Sequence, residues 1–137
     1  MESALKTVRT LRIVFLFSVP LYLGIVQIVP SQSAPQIFVL YALAGLCVAD
    51  IVAIFVFRKV LIDRSEQALA ADPRDSKAVA RWRAGYFAIY GMGLAVAIYG
   101  LIVHFFGFDL GYVLPFFVVG LGLLLYFPPR IPTNLRP

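Results

Sequence analysis

Four long apolar runs separated by short polar segments predict four membrane-spanning helices. The runs cover residues 11–29, 36–57, 84–106 and 110–127. A helix rises 1.5 Å per residue, so about 20 residues cross a hydrocarbon core about 30 Å thick. The first run is longer than the roughly 7–15 residues of a secretory signal core, which favours a retained span. We therefore expect an all-α fold, a polytopic membrane four-helix bundle in a single domain over residues 1–137.

The polar segment 58–83 separates the second run from the third and contains seven of the 12 Lys and Arg residues. No Pro or Gly interrupts it before Asp72, so the second helix is expected to continue beyond the apolar run. Asp72 is predicted to cap a new helix, with Pro73 at its first position and Asp75 as a capping-box acid. The second and third spans should therefore extend into a helical hairpin with a tight turn near Asp72.

The distribution of cations predicts the orientation of the bundle. The turns at 30–35 and 107–109 contain no Lys or Arg, whereas the N-terminal arm, the hairpin and the tail 128–137 contain all of them. Under the positive-inside rule the hairpin and both termini are cytoplasmic. The helices then run up, down, up, down in a bacterial-type cytoplasmic (inner) membrane. Trp82 and Tyr126 are expected to be interface anchors, and the tail is expected to be extended.

Composition supports lipid as the solvent and argues against several other classes of protein. The chain is 61% hydrophobic and only 14% charged, and its mean hydropathy is +0.90. The net charge of +5 is explained by anionic lipid headgroups rather than nucleic acid. The cations predicted to meet headgroups or a partner are Arg58, Lys59, Arg81 and Arg83. No catalytic motif, metal-ligand spacing or cofactor fingerprint is present, so we expect neither an enzyme nor a cofactor.

Rows of small residues mark predicted helix-packing faces, because small side chains let helix backbones approach closely in lipid. One row lies on the second span, and two lie on opposite faces of the third span, which is therefore expected to be central. The second-span row is Ala42, Gly45, Ala49 and Ala53; the third-span rows are Ala84, Ala88, Gly91 and Ala95, and Gly93, Ala97 and Gly100.

Asp50 is the main candidate for chemistry, because an acid inside a span is costly and is a functional candidate by default. Counting inward from the ends of the apolar runs places Tyr90 at the same depth. The pair is predicted to be either a reversible proton site or an interhelical hydrogen bond that fixes helix register. His104, near the other end of the third span, could relay protons or bind a cofactor, although a lone interfacial His is more often simply hydrated.

The sequence AIYGLIV, Ala97 to Val103, resembles the carboxyl-side helix of the c subunit (proteolipid) of rotary ATP synthases. The resemblance implies that the second and third spans form the hairpin of that family, with a polar cytoplasmic loop at Asp72-Pro73-Arg74. The family's proton-carrying carboxylate precedes the tyrosine by five residues, and that position is Leu94 here. The glycine-repeat helix of the family is missing, and two extra spans flank the hairpin. If the kinship holds, Asp50 on the partner helix would replace the missing acid.

Two functional hypotheses follow from these features. The first is a small structural or accessory membrane subunit that packs through its Gly and Ala faces with itself or with a larger complex. The second is a proton- or ion-translocating membrane subunit that uses Asp50.

Overall fold

The chain is helical over most of its length, as expected. A computed structural model describes residues 2–31 and 33–130, and these residues contain helices and turns without a strand. The helices are α1 (Glu2–Ile28), α2 (Ile37–Phe57), a π-helical segment (Arg58–Asp63), α3 (Arg64–Ala71), α4 (Ser76–Phe105) and α5 (Leu110–Tyr126). The all-α prediction is confirmed. The predicted extended tail falls mostly on residues 131–137, which lie outside the described residues.

Three of the helices are long and apolar enough to cross a membrane. They are α1, the continuous helix Ile37–Ala71 that includes α2, the π segment and α3, and α4. The fourth apolar helix, α5, has 17 residues and is about 26 Å long. The apolar pattern assigned residues 2–10 to a polar arm, but they are part of α1. They are helical because Ala4, Leu5 and Val8 give this part of the helix its own buried face.

Helix α4 is the centre of the fold and packs against α1, α2, the π segment, α3 and α5. The closest approach is to α5. A Cβ atom on Gly120 of α5 would lie 2.8 Å from the carbonyl oxygen of Gly93 and 3.0 Å from the amide nitrogen of Ala97. The two backbones are therefore in direct contact, which only small residues allow.

The hairpin turn lies where the sequence predicts it, but its capping residue is different. α3 ends at Ala71 and α4 begins at Ser76. Asp75 is the N-cap, since its side chain accepts hydrogen bonds from the backbone N–H of Lys77 (2.8 Å) and Ala78 (3.2 Å). Asp72, the predicted cap, instead accepts from the N–H of Arg74 at 3.0 Å and closes the turn. The helix starts later than predicted because the proline is part of the turn.

A π-helical segment interrupts the long second helix just beyond the apolar part of α2. It packs against α4 at Gly85, where a Cβ atom would lie 2.8 Å from Cγ1 of Ile62 and 3.1 Å from Cβ of Leu61. Trp82, one turn before Gly85, is fully buried. The prediction that Trp82 is an interface anchor is wrong, because the hairpin encloses the indole ring; Tyr126 is exposed.

Candidate functional site

Asp50 forms an interhelical hydrogen bond in the middle of the bundle, and its partner is Tyr99. The Tyr99 hydroxyl donates to Oδ2 of Asp50 at 2.8 Å. Both side chains are half-buried. The bond joins α2 to α4 and connects the only acid of α2 to the tyrosine of the AIYGLIV sequence. The hydrogen bond therefore fixes the position of α2 relative to α4.

The predicted pair of Asp50 with Tyr90 is not formed. The register of a helical hairpin is set by its turn, and Asp50 and Tyr99 lie at nearly equal chain distances from the Asp72–Asp75 turn. Tyr90 lies nine residues nearer the turn, which is about two and a half helical turns. Counting from the ends of the apolar runs failed because the hairpin helices continue beyond those ends by unequal lengths.

Tyr90 instead belongs to a set of polar contacts that caps the carboxyl end of α5. Its hydroxyl donates to the carbonyl oxygen of Phe127 at 2.7 Å. Arg12 of α1 donates from Nε to the carbonyl of Leu124 at 3.0 Å and from Nη2 to that of Leu125 at 3.1 Å. The last carbonyls of a helix have no partner within the helix, so these bonds satisfy groups that would be costly to bury without a partner.

His104 connects α4 to the end of α1, close to the opposite end of the bundle. Its Nε2 atom lies 2.7 Å from the carbonyl oxygen of Val29. The side chain is buried, and its Nδ1 atom has no hydrogen-bond partner among the described residues. A cavity of about 380 Å³ borders His104, Ser31 and Asp109. The bond to Val29 is sufficient to explain a buried histidine here.

The small-residue rows differ in how the chain uses them. Gly93, Ala97 and Gly100 are buried, and a Cβ atom on Gly100 would lie 3.0 Å from Cβ of Phe116 on α5. On α2, by contrast, Ala42, Gly45 and Ala49 are exposed and Ala53 is half-buried, and a Cβ atom on Gly45 would meet nothing within 4 Å. We call Ala42, Gly45, Ala49 and Ala53 the α2 row. The opposite α4 row is also largely open: Ala84 and Gly91 are exposed, and Ala88 and Ala95 are half-buried.

A polar cavity of about 180 Å³ lies where the hairpin meets the end of α5, and we call it the hairpin cavity. Its lining includes Arg58, Asp63, Glu66, Tyr86, Phe127 and Arg130. The Arg58 guanidinium carbon lies 5.2 Å from the centre of the Phe127 ring, a cation–π contact. The other three cations predicted to face lipid or a partner, Lys59, Arg81 and Arg83, are exposed.

Glu66 is a partly buried carboxyl group of the hairpin cavity, and its pKa is shifted. Burial raises the pKa of Glu66 above its usual value, and the charge of Asp63 raises it further. The Trp82 indole N–H and the guanidinium groups of Arg58 and Arg130 lower the pKa of Glu66 in part. Because the folded state holds the proton more tightly than the unfolded state, the ionised Glu66 opposes folding above its unfolded pKa.

Replacing Glu66 with glutamine should therefore raise the free energy of unfolding at pH 7. The gain should shrink as the pH falls through the folded pKa of Glu66 and vanish below about 4.3, the ordinary pKa of a glutamate, where the wild-type group is protonated in both states. Denaturation followed by circular dichroism in detergent at pH 7 and pH 4 measures the difference. Exposed Gln67 provides a control position, where Gln67→Glu should show no comparable gain at either pH. A Glu66→Gln variant that is less stable at pH 7 would contradict the prediction.

Three of these features escaped prediction. Tyr99 could have been found by counting from the hairpin turn instead of from the apolar edges. The contacts of Arg12 with α5 had no sequence signal, since they depend on how the first and last helices pack together. The hairpin cavity depends on the π segment, and nothing in the sequence RKVLID indicates a π-helix.

No protein-family model, curated protein or solved structure matches this chain.

Proposed function

We propose that this chain is a small, non-enzymatic integral membrane subunit that associates through the α2 row with a second copy of itself or with a larger membrane complex. In this proposal the four apolar helices run up, down, up, down in a bacterial-type cytoplasmic membrane. Both termini and the hairpin face the cytoplasm, where Arg58, Lys59, Arg81 and Arg83 meet anionic headgroups. The hairpin provides a further contact surface outside the lipid.

The observation that supports association is the contrast between the two kinds of small-residue row. Where Gly93, Ala97 and Gly120 face each other, α4 and α5 pack with their backbones in contact. The α2 row has the same kind of residues at helical spacing, yet Ala42, Gly45 and Ala49 are exposed. In lipid, where apolar burial does not drive helices together, such a surface gains contacts by receiving another helix.

Replacing Gly45 with leucine should abolish this association while leaving the fold intact. The space around Gly45 is open within the chain, so a leucine is accommodated in the monomer but holds a second helix away. Energy transfer between labelled copies in liposomes, over a range of protein-to-lipid ratios, measures self-association. Copurification from native membranes measures association with other proteins. The expected loss is roughly tenfold or more in either measurement.

Gly122→Leu is the matched control, because Gly122 is also exposed, lies within an apolar helix and has nothing within 4 Å of its Cβ position. It should associate like the wild type. Wild-type protein that is monomeric and copurifies with no partner would overturn the proposal, as would equal losses in Gly45→Leu and Gly122→Leu.

A second candidate function, translocation of protons or ions, is favoured by the hydrogen bond between Asp50 and Tyr99. In this hypothesis the Asp50 carboxylate takes up a proton and releases it again, while the hydrogen bond from Tyr99 holds the carboxylate in position. The resemblance to the rotary c subunit stays a prediction. A carboxylate on α2 would then substitute for the one missing at Leu94 on α4.

Asp50→Asn tests this second function, because an amide oxygen can still accept from Tyr99 but the side chain no longer titrates near neutral pH. We expect assembly to persist and proton flux into liposomes, followed with a pH-sensitive dye, to fall to the background rate. Tyr99→Phe should slow the flux less, since the acid remains. Unchanged flux in Asp50→Asn, or a loss of assembly, would favour a purely structural role for the bond.

A further inference from the structure

The hairpin cavity lies at the level where the apolar helices end. Arg58 directly follows the last residue of α2, and Phe127 directly follows α5. In a membrane, this level is occupied by lipid headgroups rather than acyl chains. A cavity of about 180 Å³ is the size of a small polar group and is too small for a whole lipid molecule.

The π segment brings groups of opposite charge to the same cavity. Arg58 and Asp63 are the first and last residues of the segment, and both line the cavity. In an α-helix, residues five apart point about 140° away from each other. A π turn, which joins residues five apart by a backbone hydrogen bond, brings them to neighbouring positions, and such turns are frequent at functional sites.

The lining of the cavity combines two cations with two acids. Arg58 and Arg130 supply the guanidinium groups, and Asp63 and Glu66 supply the carboxyl groups. Trp82 is completely buried and close enough to Glu66 for its indole N–H to lower the pKa of that carboxyl group, but it does not line the cavity. A cavity lined by charged groups of both signs is suited to a polar ligand that carries both charges.

We propose that the hairpin cavity binds a zwitterionic group that contains a phosphate and a primary ammonium, namely the headgroup of a phosphatidylethanolamine-type lipid. Arg58 and Arg130 hold the phosphate, because guanidinium groups form charge-assisted, bidentate hydrogen bonds with phosphate oxygens. Glu66 and Asp63 hold the ammonium. The acyl chains remain in the lipid around α2 and α5.

The charge balance of the cavity selects a zwitterion over simpler ions. A purely anionic headgroup supplies the phosphate but leaves Asp63 and Glu66 without a cation to bind, and a simple cation leaves Arg58 and Arg130 without an anion. A trimethylated ammonium carries the correct charge but has no N–H to donate to the carboxyl groups. The inference rests on the proposed membrane placement and is independent of association through the α2 row.

Native mass spectrometry of the full chain tests the proposal by the lipids it retains. The protein is reconstituted with equal amounts of phosphatidylethanolamine, phosphatidylcholine and phosphatidylglycerol that share the same acyl chains, and is then released from detergent. We expect the wild type to retain phosphatidylethanolamine over each of the others by roughly tenfold. A second arm titrates soluble O-phosphoethanolamine into delipidated protein by calorimetry, which distinguishes a free zwitterion from a lipid headgroup.

The variants separate specific binding from general charge attraction. Arg58→Ala and Arg130→Ala should each lower retention of phosphatidylethanolamine by roughly tenfold, whereas Lys59→Ala, which removes an adjacent exposed cation outside the cavity, should retain it like the wild type. Glu66→Gln should reduce the preference for phosphatidylethanolamine over phosphatidylcholine, because Glu66 is proposed to bind the ammonium. If Arg58→Ala fails to fold, Arg130→Ala still decides, because Arg130 lies outside the helices and contacts Tyr86 through its backbone N–H.

Selective retention of phosphatidylethanolamine supports the proposal and identifies a lipid headgroup as the ligand. Binding of O-phosphoethanolamine without lipid retention supports recognition of the same phosphate and ammonium groups and identifies a free zwitterion as the ligand. Equal retention of all three lipids without binding of the free zwitterion would overturn the proposal. Equal losses in Arg58→Ala and Lys59→Ala would overturn it as well. Gly45→Leu should keep the lipid preference even as a monomer, so failure of the association proposal is distinguishable from failure of this one.

Discussion

Replacing Gly120 with alanine should destabilise the bundle, because the new methyl group would collide with the backbone of α4. Its Cβ atom would lie 2.8 Å from the Gly93 carbonyl oxygen and 3.0 Å from the Ala97 amide nitrogen. Neither atom can move without displacing a whole helix. We expect a loss of about 1–3 kcal/mol in the free energy of unfolding, and a larger loss for Gly120→Leu. Denaturation in mixed detergent micelles, followed by circular dichroism, measures it.

Gly122 provides the control, since it lies two residues further along α5 and a Cβ atom there meets nothing within 4 Å. Gly122→Ala should be neutral or stabilising by about 0.5–1 kcal/mol, because alanine favours the helix over glycine. If Gly120→Ala were as stable as Gly122→Ala, the close approach of α4 and α5 would be wrong.

Replacing Trp82 with alanine should have the largest effect of any single substitution in the hairpin. The indole is fully buried, and its ring centre lies 4.8 Å from that of Tyr86. Removing so large a side chain leaves a cavity and should cost about 3–5 kcal/mol of unfolding free energy. Because Trp82 is the only tryptophan in the chain, unfolding of the variant has to be followed by circular dichroism instead of tryptophan fluorescence.

Trp82→Phe is the informative comparison, because it keeps an aromatic ring and removes only the bulk of the indole and its N–H. That N–H has no hydrogen-bond partner among the described residues. The phenylalanine variant should therefore lose less than half as much stability as the alanine variant. Equal losses in the two variants would show that the indole N–H is bonded in the folded protein.

The helical class and the hairpin could be predicted because they depend on local patterns. Long apolar runs determine the helices, and the Asp72-Pro73 sequence determines the turn between α3 and α4. The small residues of α4 likewise indicate a central helix, which its contacts with all the other helices confirm. The sequence did not predict which row of small residues packs within the chain. A row of Gly and Ala has the same composition whether it packs against α5 or lies on the outer surface.

The position of the hairpin turn, which was predicted correctly, is the feature that determines the partner of Asp50. The tight turn was predicted, and a tight turn fixes which residues of the two hairpin helices are opposite each other. The edges of the apolar runs indicate where the apolar surface ends and not where helices pair. Counting from the turn leads from Asp50 to Tyr99.

The π segment could not be predicted from its own residues, since none of them disfavours an α-helix. The segment packs against Gly85, which is distant in the sequence. The hairpin cavity likewise depends on tertiary packing, because its lining residues come from three separate parts of the chain. Sites of this kind become visible only when the helices are placed next to one another.

The contacts of Arg12 with Leu124 and Leu125 have a consequence for the biogenesis of the protein. The donor and the acceptors are separated by 112 and 113 positions, nearly the full length of the chain. The ribosome has to add 112 residues after Arg12 before the first of the carbonyls that its guanidinium binds exists. Until then the Arg12 side chain cannot form these hydrogen bonds, so the packing of α1 against the end of α5 is completed only after α5 has been synthesised.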